Sequence, residues 1–191
     1  VYATPFTAAL LRRKLAEVGL EEEVTVHIIP LGARFEVGPF DMELITVTHS
    51  TLEPNAIAIR TRLGTVVHTG DFKIDPEPLI GDSVDDDALR SLGDEGVLAL
   101  VCDSTNVFVP GESGSEGELR RSLDSLLADR SGRILVTTFA SNVARIETVV
   151  KLAQQQGRQV VLAGRSLWRT VEAAREAGYL RDLPPLLSDD E

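Results

Sequence analysis

Hydrophobic and polar positions follow two different rhythms along the chain. In the first half they alternate with the period of a strand. "ARFEVGPFDMELITVTHS" sets Phe35 and Val37 before a Gly38-Pro39 turn, then Met42, Leu44, Ile45 and Val47 after it, which predicts a hairpin. "AIAIRTRLGTVVHTGD" predicts a second hairpin, Ala56 to Arg60 and Thr65 to His68, turning at Leu63-Gly64. A shorter β run, "VTVHIIP", lies ahead of both. One helix opens the chain: Thr4 is its N-cap and Pro5 its first helical residue. Phe6, Leu10, Leu11, Leu15 and Val18 then recur at helical spacing, and Gly19 closes the helix. Four or five strands thus arrive in quick succession, mostly antiparallel.

The second half changes to the helical period. From Asp75 to Gly96 the chain is polar and rich in Pro, Gly and Asp, with one short helix predicted over Asp86 to Leu92. "VLALVCDSTN" reads as a buried strand ending in polar groups, and "PGESGSE" as a loop. Glu116 to Ala128 predicts an amphipathic helix with Leu119, Leu123, Leu126 and Leu127 on one side; Ser115 and Glu118 match a capping box at its start. Strand "RILVTTF", helix "SNVARIETVVKLAQQQG", strand "QVVLAG" and helix "SLWRTVEAAREAG" follow in alternation. That β-α-β-α order predicts parallel strands joined by crossover helices. The fold class is therefore α/β, in two domains, 1–106 and 107–191. "LRDLPPLLSDDE" reads as a chain cut in mid-course, with Leu186-Leu187 left without a strand partner.

Composition narrows the classes. With 191 residues, 43% hydrophobic and 26% charged, the chain can bury a core, and 5% aromatic content makes that core aliphatic. A net charge of −11 argues against a general polyanion-binding surface, though a local basic groove remains compatible with it. The single cysteine, Cys102, cannot form an intramolecular disulfide, which points to a reducing, cytoplasmic compartment and excludes a Cys-rich zinc site. No apolar run approaches the ~20 residues of a membrane span. No signal peptide is visible, and the missing initiating Met suggests that Val1 is not a natural N-terminus.

Four polar clusters carry candidate chemistry. His49 ends the strand "LITVTH" and is followed by Ser50, Thr51, Leu52, Glu53 and Pro54. His68-Thr69-Gly70-Asp71 ends a later strand, one hairpin away. Imidazole and carboxylate suit zinc or another first-row divalent metal, but tight binding takes three or four ligands, and a strand-end His or an Asp after Gly is also ordinary turn chemistry. Asp103-Ser104-Thr105-Asn106 follows a strand at its carboxyl end, where open α/β sheets place ligands; the same residues also make turn caps. Ser141 and Asn142 precede a helix and offer either an N-cap or a phosphate contact. "PGESGSEGEL" lacks a Lys after its glycines and is no P-loop. His27 lies inside a β run and reads as a packed or half-exposed residue.

Taken in order, "TVTHS…EPNAIAIRTRLGTVVHTGDFKIDPEP", "LVCDSTN…PGESGSE", "TTFASNVARIE" and "GRSLWRTVEAAREAGYL" resemble the bacterial ribonuclease J family, the β-CASP branch of the metallo-β-lactamase superfamily. The resemblance covers nearly the whole chain. It implies a partial metallo-β-lactamase αββα sandwich over 1–106, followed by the first part of a parallel β-CASP domain over 107–191. It implies two zinc ions as cofactors and RNA as substrate, with a metal-activated water attacking the phosphodiester. By resemblance His49 matches a metal ligand, Asp71 the bridging aspartate and Asp103 the acidic residue that opens the β-CASP region. His68 matches a supporting neighbour. Ser104, Thr105, Asn106, Ser141 and Asn142 match the lining of an RNA or 5′-phosphate cleft. The family's HxHxDH motif and its later histidines are absent, their places falling before Val1 and after Glu191. "HSTLEP" also has Thr-Leu where the family suggests Ile-Pro.

The expectation is therefore a fragment of a zinc ribonuclease that itself binds zinc weakly and cleaves nothing. Two rivals stand beside it: a non-catalytic module holding phosphate or RNA, and a small-substrate hydrolase on the same sandwich. Incomplete coverage of the sheet further predicts self-association.

Overall fold

The computed structural model describes residues 1–188, in which two apolar cores are built from different parts of the chain. Strand β1 (Tyr2–Ala3) leads into helix α1 (Pro5–Glu17), and β2 (His27–Ile28) returns parallel to β1. Pro5 occupies the first turn as its sequence predicts, but the Thr4 hydroxyl donates to Thr7 and makes no cap bond to the backbone. Strands β3 (Arg34–Val37), β4 (Phe40–Thr46), β5 (Asn55–Thr61) and β6 (Gly64–His68) follow as the two predicted hairpins, joined edge to edge in an antiparallel sheet. Helix α2 (Asp86–Glu95) then precedes β7 (Ala99–Val101), which adds to β6 in parallel, giving the order β3-β4-β5-β6-β7.

The alternation along β4, β5 and β6 has a direct consequence. Ile45, Val47, Ala56, Ala58 and Val67 are buried together on one face, and Leu92, Leu89 and Ala88 of α2 cover them with Phe72. The turn between β5 and β6 requires Gly64: its φ is 140°, and a Cβ there would stand 3.0 Å from that of Leu98.

The second core joins the two ends of the chain. Helices α3 (Glu116–Leu127) and α4 (Val143–Gln155) are followed by β8 (Val161–Leu162), α5 (Arg165–Glu176) and β9 (Leu187–Ser188). Phe6 and Ala9 of α1 pack with Leu52, with Val143, Ile146 and Val150 of α4, and with Val171, Ala173 and Ala174 of α5. Arg13 reaches Glu176 at 2.8 Å across the same helix pair. This cluster crosses residue 106.

Three predicted elements differ from the structure. "VLALVCDSTN" forms only the three residues of β7, and they are exposed, not buried: Leu100 is 61% and Val101 49% accessible. Only β6 lies beside β7 among the described residues, so one edge stays open. "RILVTTF" forms no strand, and Leu135 and Phe139 face solvent at 96% and 85%. A strand needs a ladder partner for its backbone groups, and no described strand lies beside it. Leu187, in contrast, does find a partner: β9 pairs in parallel with β8 across α5, Val161 opposite Leu187. The last three residues of "LSDDE" lie outside the described residues.

Candidate active site at the strand ends

Because β4, β6 and β7 run in the same direction, their carboxyl ends open on one end of the sheet. His49 lies just beyond β4, half-buried, with its Nδ1 3.4 Å from the Ser50 hydroxyl. An isolated antiparallel bridge joins Thr48 to Lys73, with the Lys73 N–H donating to the Thr48 carbonyl at 2.8 Å. That bridge draws the turn after β6, which carries Asp71, alongside the His49 segment. Asp71 itself is exposed. The turn needs Gly70, at φ 61°, where a Cβ would come within 3.1 Å of the Asn55 carbonyl.

Asp103 follows β7 and faces the same end. Its N–H donates to the Thr69 hydroxyl at 2.9 Å. Its carboxylate accepts the Thr105 hydroxyl at 2.6 Å and the Thr105 N–H at 2.9 Å. These donors, the Thr105 hydroxyl first, hold its carboxyl below the usual carboxylate range, and the nearby charge of His49 acts in the same direction. The geometry thus brings together His49, Asp103 and the main chain next to Asp71.

The other predicted residues are placed as follows. His68, exposed at the end of β6, accepts the Gly70 N–H on Nδ1 at 3.0 Å and so braces the turn before Asp71. Ser104, Thr105 and Asn106 are exposed in a turn in which the Ser104 carbonyl accepts from Val107 and that of Asn106 from Val109. Asn142 is buried and caps α4, its Oδ1 accepting the Arg145 N–H at 2.9 Å, while Ser141 beside it is exposed. No hydrogen bond or ion pair among the described residues links Asn142 or Ser141 to the Asp103 cluster.

The donor set does not make a complete metal site. Among the described residues no three of His, Cys, Asp or Glu come together as a metal-holding group. His49 and Asp71 supply an imidazole and a carboxylate, fewer than the three or four ligands of a tight site.

Two carboxylates beside the site were not singled out in the sequence. Glu53 is buried in the loop after His49, and its Oε2 accepts the Phe6 N–H at 2.8 Å. Asp75 is buried after the Asp71 turn; it meets Lys73 Nζ at 2.8 Å and accepts N–H groups from Glu77 and Glu116. The local signal was slight: both acids stand next to a proline in short polar stretches, which reads as loop.

Comparison with known proteins gives one consistent direction. Residues 131–191 match the family described as "Ribonuclease J, beta-CASP domain". The whole chain is 49% identical to ribonuclease J of Sinorhizobium meliloti, and covers 34% of that protein. It is 40% identical over 95% of its length to ribonuclease J of Thermus thermophilus, and 39% identical over 95% to that of Synechocystis sp., covering 32% and 28% of them. The chain therefore spans about a third of these relatives' length. A crystal structure of a protein of unknown function from Enterococcus faecalis V583 superimposes on 99% of this chain and 49% of its own, with a TM-score of 0.63 at 19% identity, which shows a shared fold.

Proposed function

This chain belongs to the ribonuclease J family, and on that premise we propose that it carries part of the active site of a zinc-dependent enzyme that hydrolyses RNA. The observation that supports this most is the convergence of His49, the Asp71 turn and Asp103 on one end of the sheet. In this reading His49 is a metal ligand and Asp71 the carboxylate that bridges two zinc ions. Asp103 is the acidic residue beside them, oriented by Thr105 and Thr69 and electrostatically coupled to His49. Ser104, Thr105, Asn106, Ser141 and Asn142 contact the phosphate backbone of RNA, with Asn142 limited to whatever its capping bond leaves free. His68 supports the turn.

The described residues offer too few ligands for the metal chemistry of the family, and the sequence given does not contain its HxHxDH motif. Calorimetric titration with zinc and incubation of the purified chain with labelled RNA test this. The expected outcome is weak zinc binding and no cleavage; sub-micromolar affinity, or RNA hydrolysis, overturns it.

Self-association is proposed for the same chain. The open edge of β7 and the exposed Leu98, Leu100, Phe108, Leu135 and Phe139 support it. Light scattering is expected to find dimers or larger species, and a monodisperse monomer counts against it. The exposed thiol of Cys102 suits a reducing, cytoplasmic setting. No described helix is long and apolar enough to cross a membrane.

A further inference from the structure

The loop that carries His49 is held by an arrangement that the metal chemistry does not require. Glu53, near its end, has φ 54°, a left-handed conformation that costs a non-glycine residue about 1 kcal/mol or more. It is only 9% accessible. A buried carboxylate is unfavourable unless donors surround it, and here they come from separate parts of the molecule. Oε2 accepts the Phe6 N–H in the first turn of α1, where the helix dipole favours an anion. Tyr179, after α5, lines the same cleft as this carboxylate, and the charge of Glu53 helps to raise its phenol pKa. The Glu53 carbonyl accepts Nδ2 of Asn55 at 2.7 Å, fixing the loop's return into β5. His49, Thr51, Glu53 and Tyr179 line one cleft.

We infer that Glu53 is a positioning residue: it locks the 49–54 loop against α1 and Tyr179 and thereby sets the place of the His49 imidazole. Packing alone does not explain the residue, because Leu52, 2% accessible, already anchors the loop in the core. A neutral apolar side chain at 53 would satisfy burial, but it would leave the Phe6 N–H without its acceptor and take the carboxylate away from Tyr179. The inference rests on the proposed function only in treating His49 as a site residue, and its test involves neither zinc nor RNA.

The test follows the ring C–H resonances of the three histidines in the 191-residue chain at one fixed pH. Glu53→Ala is expected to move the His49 signal and leave those of His27 and His68 in place. Glu53→Gln, which keeps an acceptor oxygen, is expected to bring the His49 signal back toward its original position. A folded Glu53→Ala chain with an unmoved His49 signal, or with all three signals moved alike, overturns the inference. If the alanine variant does not fold, Tyr179→Phe decides: it deletes one hydroxyl, and a shift confined to His49 is expected, whereas no shift overturns it.

Discussion

Asp75 concentrates the electrostatics of the molecule in one side chain. Its carboxylate is closed off from solvent, and burial alone would raise its pKa. The bond from Lys73 and the N–H groups of Glu116 and Glu77 outweigh that and hold it below the ordinary carboxylate value. A carboxyl depressed in the folded state stabilises the fold above its unfolded pKa, near 4, and loses that contribution as pH falls through the folded value. Asp75→Asn is therefore expected to destabilise the chain by about 3 kcal/mol at neutral pH. It is also expected to flatten the loss of stability below pH ~4, both read from urea unfolding at a series of pH values. Tyr179 gives a second check at this scale: burial, then the charge and hydrogen bond of Glu53, push its phenol up to about 12. Alkaline absorbance titration is expected to show that late ionisation, and Glu53→Gln to bring it earlier. Neither Asp75 nor Tyr179 was legible in the sequence as a site neighbour. Their partners lie at Glu116 and Glu53, across folds of the chain that no local pattern encodes.

At the scale of elements, most local signals hold, although the Thr4 hydroxyl makes no cap bond. Ser115 and Glu118 form the reciprocal capping box their spacing suggests, and Asn142 caps α4 through its side chain. The hairpins appear where period-two alternation met Gly38-Pro39 and Gly64. Ser115→Ala and Asn142→Ala are each expected to cost about 1 kcal/mol in unfolding measurements, with loss of the end turn's amide protection in α3 and α4 respectively. What differed were strands whose fate depends on a distant neighbour. "RILVTTF" has strand composition but no ladder partner, β7 has an open edge, and β9 exists only because β8 lies beside it. The same limit applied to the site. Its strand ends could be named from sequence, but the Thr48–Lys73 bridge and the bond from the Asp103 N–H to Thr69, which bring His49, Asp71 and Asp103 into one neighbourhood, could not.

For the whole molecule, the dominant fact is that Phe6 and Ala9 share a core with Val171, Ala173, Ala174, Leu180 and Leu183. Phe6→Ala is expected to cost about 3–5 kcal/mol, and hydrogen exchange should speed up in α5 as well as in α1 if the two ends unfold together. Protection lost in α1 alone would show that the core is not cooperative. The shared core also dictates an order of events during synthesis. The hairpins can close soon after each emerges from the ribosome, since their partners are adjacent in sequence. Helix α1 emerges well before α4 and α5, and the core that buries Phe6 is not complete until α5 is out. At 5–20 residues per second that wait lasts about 10–30 s. For that interval a helix made before its partners waits to be secured, and its apolar stripe is the natural landing site for a chaperone on the nascent chain.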